Sequence, residues 1–479
     1  MLPVVDGVLF LSLVLAPLLY GSVHFLALLL LALFSLIAFN LIYLARPWSL
    51  GRVFGSPWVW LGLFLTGFAG LQLLPLSPDI IKKFSPALYV FYARYCPDVL
   101  LGPVASSVYA SDTVRGIIQF LMYGLFFMSI LMRLQPDPAH EENVHSVSWQ
   151  KSEYLKLGCL TGVLSLLFHS IYDFNLHIPA NGLYFTVLLA LGVGAAGQAY
   201  DHAFFRRMVE FIIIFGFMVA LFAIVQKFSY NGRIYWIGMK NGGHPVGPYC
   251  NYDHYAGFME LCSAVAVGMA VAGVFHTSFF RRKGFIEKVV WLATAEANRT
   301  LRYLFMAVVM AATIFMSTSR GGIMSFVLGQ IIFFATVTWA AGRARKGHRL
   351  VGILTTVALL IGVMVIWLGP EAFLKRFRLT SIEKIVKMEG SDADRIRFYV
   401  GATHVIKDFP VTGTGLSTFG TNFTRYRWFD FRGRMDYLRY THNDYLQLVS
   451  ETGAGGMIFL FGFMIFYTGA YIRVARKLA

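Results

Sequence analysis

Long apolar runs decide the class of this chain before any motif does. Stretches such as 24–45, 57–76 and 208–226 are almost uninterrupted by charge, and the runs are about 15–24 residues long. That is the length a helix needs to cross a bilayer. A soluble chain carries about a quarter charged residues; here 14% are charged and 57% are hydrophobic, which excludes a soluble enzyme and a disordered chain. Outer-membrane barrel strands alternate polar and apolar over about ten residues, and these runs do not alternate. The fold class expected is an all-α polytopic membrane protein.

Twelve spans are expected: roughly 5–21, 24–45, 57–76, 113–133, 155–171, 181–199, 208–226, 255–275, 303–318, 322–340, 350–368 and 454–473. Backbone amides in lipid must be satisfied internally, so each span should be a helix. The net charge of +16 fits a cytoplasmic excess of Lys and Arg facing anionic lipid, rather than nucleic acid. Arg46, Arg52, Arg133, Lys151, Arg206, Arg207, Arg281, Arg282, Lys283, Arg343, Arg345 and Lys346 fall in alternate gaps, which places both termini in the cytoplasm. Met1 to Asp6 lack the basic start of a cleaved signal, so the first run is expected to stay as a helix. Cys96, Cys159, Cys250 and Cys262 are scattered, without a zinc or disulfide pattern. This divides the chain into a helical bundle at 1–368, an outer loop at 369–453 and a final helix at 454–479. Loops of that length without a role are uncommon.

Polar groups gather on the outer side. Ser317-Thr318-Ser319-Arg320-Gly321-Gly322 sits between two apolar runs. Arg320 is either a snorkelling side chain or a guanidinium aimed at phosphate, with glycines letting the backbone come close. Tyr440-Thr441-His442-Asn443-Asp444 precedes the last run. His442 is a candidate general base, and Asn443 could orient a sugar hydroxyl. The segment 241–255 is rich in Gly, Pro, Asn and aromatics, and contributes His244, Asn251 and His254, with Lys240 just before it. It is a packed turn or a wall of a site. In the long loop, Lys375, Arg376 and Arg378 lie among apolar residues like an interfacial helix. Arg395 and Arg397 follow, then arginines among Tyr and Trp that ion pairs with Asp392, Asp430 and Asp436 would account for. Finally His169, Asp173, Asn175, His177 and Asn181 crowd one short connection, where they either line the same cavity or knit helices together.

With these residues in view, the chain resembles the O-antigen ligase and polymerase family of bacterial envelope enzymes. The matching pieces are Ser319-Arg320-Gly321-Gly322, Asp408-Phe409-Pro410 with Gly413-Thr414-Gly415 and Phe419, and above all His442-Asn443 followed by Gly453 and Gly456. The resemblance implies a C-type glycosyltransferase fold in the bacterial inner membrane, with a periplasmic active site and no metal or other cofactor. It implies transfer of a glycan from an undecaprenyl-diphosphate carrier to lipid A–core, a growing glycan or a protein. His442 would be the base, and Arg320, with Arg395 or Arg397, would hold the diphosphate. Asn443, Lys240, His244, Asn251, His254, Asp173 and His177 would complete the binding site. Two departures stand out. The Gly-Pro-Asn loop offers Arg233, Lys240 and His244 where the family usually has an arginine. The block at about 135–206 precedes that loop, although it looks like what normally follows the His-Asn motif. A transporter or flippase is the alternative from another class; it would place its polar groups at mid-membrane on broken helices.

Overall fold

A computed structural model describes residues 1–136, 149–195, 200–240, 247–276, 284–343, 391–427 and 438–478. The described residues form helices and loops, with two isolated β-bridges, Leu76 to Val104 and Arg233 to Lys240. Twelve of the described helices exceed ten residues. They are α1 Leu2–Leu18, α2 Phe25–Ala45, α3 Pro57–Leu71, α4 Ala110–Leu134, α5 Trp149–His169, α6 Pro179–Gly194, α7 His202–Ser229, α8 Tyr252–His276, α9 Ala295–Ser317, α10 Arg320–Arg343, α11 Ser391–Asp408 and α12 Asp444–Leu478.

Seven of these are long and apolar enough to cross a membrane, and the bent pair Trp48–Phe54 and Pro57–Leu71 makes up to eight. These helices point to a membrane protein. The expectation of twelve spans is therefore met only in part, and the reasons are physical. Helices α1 and α6 are 17 and 16 residues long, at or below the usual minimum for a span. Helix α5 carries Lys151, Glu153 and Lys156 in its first turns, and its mean hydropathy drops accordingly. The expected span at 350–368 and the basic helix near Lys375 lie outside the described residues.

The late loop also differs from expectation. Its described part contains α11 and a short helix, Phe419–Phe423. Helix α12 begins at Asp444 rather than near 454, because Gly453 (φ 54°, ψ −131°) bends the helix without ending it. That backbone is open to glycine and strained for other residues. The bend lets the 411–415 segment dock on it: Thr414 and Gly415 donate N–H groups to the Ser450 and Glu451 carbonyls (3.1 and 2.9 Å), and Ala454 donates to Val411 (3.2 Å). The Gly-Thr-Gly and Gly453 motifs thus form a single seam.

The core lies where α5 packs along α8 and α10, and α8 along α9. All of α6 from Pro179 to Gly192 is buried. The connection between α5 and α6, residues 170–178, lies against the N-terminus of α12: Asp444 donates its N–H to the Ser170 carbonyl at 2.9 Å.

Candidate functional site

Two short segments meet here, and each supplies an acid to the other's histidine. Asp173 Oδ1 lies 3.0 Å from His442 Nδ1. Asp444 Oδ1 lies 2.6 Å from His177 Nδ1, and its other oxygen accepts the Leu176 N–H at 3.0 Å. Phe174 and Tyr440 stack between the pairs at 4.1 Å, and Phe174 also touches the His442 ring edge-on at 4.9 Å.

His442 is held in an unusual backbone. Its φ is 57°, a left-handed conformation uncommon outside glycine. Neighbours fix it: Tyr399 donates its hydroxyl to the His442 carbonyl at 2.9 Å, and Thr441 bonds to both the N–H (3.0 Å) and the carbonyl (2.6 Å) of Asn443. Such strain persists only where the surroundings over-determine it, and it clusters at functional positions. The His442 side chain stays 28% exposed, whereas Asp173 is 1% exposed.

Burial alone would raise the Asp173 pKa. The hydrogen bond from His442 and the nearby His254 and His442 charges outweigh it, holding the carboxyl well below the usual range. An ionised Asp173 can only accept, so Nδ1 of His442 donates this hydrogen bond, and in the neutral tautomer that the bond selects the lone pair is on Nε2. The second Asp173 oxygen faces His254 Nε2 at 3.6 Å.

Cations reach the cluster through Asp253, at the start of α8. Its Oδ1 accepts from the Ser319 hydroxyl (2.5 Å), and its Oδ2 lies 3.4 Å from Arg395 Nη2. Burial works against the Arg395 charge, but Asp253 and Asp173 outweigh it and raise its pKa. Ser319 also caps α10, accepting the Gly322 N–H at 3.1 Å. Arg320, partly buried, is therefore the first residue of a helix pinned to the same carboxylate that holds Arg395. The second glycine after it serves packing: a Cβ on Gly322 would lie 2.5 Å from the Cβ of Ala256.

The structure brings His442, Asp173, His254 and Arg395 into one cluster, and sets His177 beside it. Other expected contacts take structural partners. Both ends of the Asn443 side chain are used, Oδ1 accepting the Leu446 N–H (2.9 Å) and Nδ2 donating to the Ile171 carbonyl (3.0 Å), so it caps α12. Asn251 caps α8 by accepting the Asp253 N–H at 2.9 Å. Arg397 pairs with Asp394 at 3.2 Å. Lys240 is exposed, its backbone bridged to Arg233. His244 lies outside the described residues, as do Asp430 and Asp436. Sequence reasoning missed Asp253, Asp444 and Glu260. The first two stand next to motif residues, which was a usable signal. Glu260, 2.7 Å from His169 Nδ1, is nearly two helical turns beyond His254 and gave none.

Residues 305–461 match a family model described as O-antigen ligase. The matched stretch is about a third of the chain, and there the chain is similar to the O-antigen ligase family. The match supports the family resemblance, and it covers Ser319, Arg320, Arg395, Asp444 and His442. No curated protein and no solved structure matches the chain. Asp173, His177, Asp253 and His254 lie outside the matched stretch and complete the cluster from earlier in the chain.

Proposed function

We propose that the protein is a glycosyltransferase that moves a glycan from an undecaprenyl-diphosphate carrier to an acceptor hydroxyl at the periplasmic face of the inner membrane. The observation that carries the reading is the Asp173–His442 pair. A partly exposed imidazole, oriented by a buried carboxylate, stands in the stretch similar to the O-antigen ligase family, with Arg395 close by.

In the proposed step, His442 Nε2 takes the acceptor O–H proton as that oxygen attacks the anomeric carbon. The bond from that carbon to the diphosphate oxygen breaks, and its electron pair leaves with undecaprenyl diphosphate. Asp173 stabilises the imidazolium that forms. Arg395 and Arg320 offset the charge on the leaving group, and fixed donors of this kind are worth roughly 3–4 kcal/mol each. Lipid A–core, a growing glycan and a protein all offer the hydroxyl this step needs. Inverted repeats and broken mid-membrane helices would support the flippase alternative; the polar cluster at one end of the bundle favours the transferase.

The test is turnover in proteoliposomes supplied with a carrier-linked glycan and each acceptor class. His442→Ala should lower turnover about 10²–10⁴-fold, the usual loss for a general base, while retaining carrier binding. Normal turnover in that variant contradicts the assignment.

A further inference from the structure

Two arginines that the proposed step does not use stand on the far side of the candidate base from Arg395. His442 is bracketed by aromatic rings. Phe398 of α11, the helix that carries Arg395, stacks on it at 6.0 Å, and Phe174 meets it edge-on at 4.9 Å. Tyr440 lies beyond Phe174, stacked on it at 4.1 Å and 5.6 Å from the His177 ring. The Arg439 guanidinium is 5.7 Å from the centre of the Tyr440 ring. Arg115 approaches the same place from α4. One turn further along that helix, Gln119 donates to the His177 carbonyl at 3.2 Å, and Gly116, next to Arg115, packs against Leu416 and Ser417.

The partners of these arginines are dipoles and rings. Arg115 donates from Nη2 to the Val23 carbonyl at 3.2 Å and lies over the Phe25 ring at 5.6 Å. Among the described residues, neither Arg115 nor Arg439 pairs with a carboxylate. Asp112, about one turn earlier on α4, accepts the Thr421 hydroxyl at 2.9 Å, and its pull on Arg115 is weaker than the push from Arg439. A guanidinium does not shed its proton to relieve such repulsion. Relief comes from water, or from an anion set between the two. A phosphate fits best: its oxygens match the planar fork, and its charge of about −1.5 to −2 balances two guanidiniums.

We propose that Arg115 and Arg439 form a phosphate subsite for the acceptor, so that the acceptor is a phosphate-bearing glycolipid anchored here while a hydroxyl further along its glycan reaches His442. The inference rests on the glycan-transfer reading of the His442 site and selects among its acceptors. Lipid A–core and a carrier-linked growing glycan both bear phosphate, whereas a protein hydroxyl has no use for such a contact. Placement favours the acceptor over the donor. In a single displacement the attacking hydroxyl approaches the anomeric carbon opposite the bond that breaks. Arg395 and Arg320 hold the departing diphosphate, and Arg115 and Arg439 lie across the Phe174–Tyr440 stack from Arg395. The aromatic rings between offer apolar faces to the sugars that join anion to hydroxyl.

The test uses the full chain in phosphatidylcholine nanodiscs, with three probes: phosphorylated lipid A–core, the same glycolipid after phosphatase treatment, and a carrier-linked glycan. At least one phosphate-bearing probe should bind about tenfold more tightly than the dephosphorylated one, and which of them does so identifies the source of the phosphate. Arg115→Gln combined with Arg439→Gln should abolish the preference. Arg115→Lys with Arg439→Lys keeps both charges without the fork and should recover part of it. In turnover with the preferred acceptor, the Gln pair should raise the acceptor KM about tenfold and the donor KM no more than about twofold. Three results would overturn the proposal: equal binding of phosphorylated and dephosphorylated probes by the wild type; a donor KM that rises as much as the acceptor KM, which marks a carrier site; or loss of the preference when phosphatidylglycerol is added to the bilayer, which marks a lipid-headgroup site. If the wild type transfers no glycan at all, the transfer reading fails, and the binding measurements still judge the subsite by itself.

Discussion

Helix α4 connects two polar clusters of opposite character. Near its C-terminus, Arg133 sits 4% exposed between Asp6 and Asp201, at 2.8 and 2.6 Å. Arg207 reaches the second Asp6 oxygen at 2.9 Å, Asp201 also caps α7 through the Phe204 N–H, and Arg133 lies over the Phe204 ring at 4.4 Å. Charges alternate and neighbouring groups close around them. Near the other end, Gly116 packs against Leu416 and Ser417, beside the histidine pairs. There Asp173 serves two imidazoles, one of them at 3.6 Å, and His442 keeps an exposed edge on a strained backbone. A closed ion cluster fixes helices. A cluster with an oriented, accessible nitrogen can exchange a proton.

The largest expected effect on stability belongs to the closed cluster. Removing one partner of a buried pair strands the other charge, at a cost of about 3–5 kcal/mol. Asp6→Ala should therefore lower the thermal midpoint in detergent sharply, with turnover per folded molecule kept. A loss of turnover at unchanged stability would break the contrast between the two ends.

Asn443→Ala should have a smaller effect. It removes the α12 cap, and losing an N-cap side chain costs about 0.5–2 kcal/mol. Asn443→Ser should recover most of that. If Ala and Ser lose turnover alike at wild-type stability, Asn443 contacts substrate, as the sequence suggested, and the capping account gives way.

The smallest effect is in pH. Burial would lower the His177 pKa, but the Asp444 hydrogen bond and charge outweigh it and raise it. A group whose pKa is raised on folding stabilises fully below its unfolded value, near 6.5 for histidine. That contribution fades as pH rises through the folded value. Wild-type stability should therefore decline more steeply above about pH 6.5 than that of His177→Gln. Parallel curves would mean the pair carries no such linkage.

Much of this was legible in the sequence, and the rest was hidden for identifiable reasons. The helical class follows from run length, because backbone groups in lipid leave few alternatives. Asp173 and His254 stand out as polar residues at the ends of apolar runs, and His442 and Arg395 as polar residues of the long loop. What sequence could not supply was pairing: Asp173 and His442 are 269 positions apart. The expected span count is met only in part, because α1 and α6 are short and α5 carries charges in its first turns. Asn443 looked like a sugar contact and Asn251 like part of a site wall, and helix starts claimed their side chains first. The block at about 135–206 looked out of order, yet its connecting loop supplies the acid to His442, so its place in the bundle matters more than its place in the chain.

The account's central claim is that Asp173 orients His442 for proton transfer, and Asp173→Asn tests it most directly, with turnover and carrier affinity measured on the same folded, reconstituted protein. The account predicts a fall in turnover of about 10²–10⁴-fold with the dissociation constant of undecaprenyl diphosphate essentially unchanged. Full turnover in Asp173→Asn, or a loss explained entirely by weaker carrier binding, would contradict it.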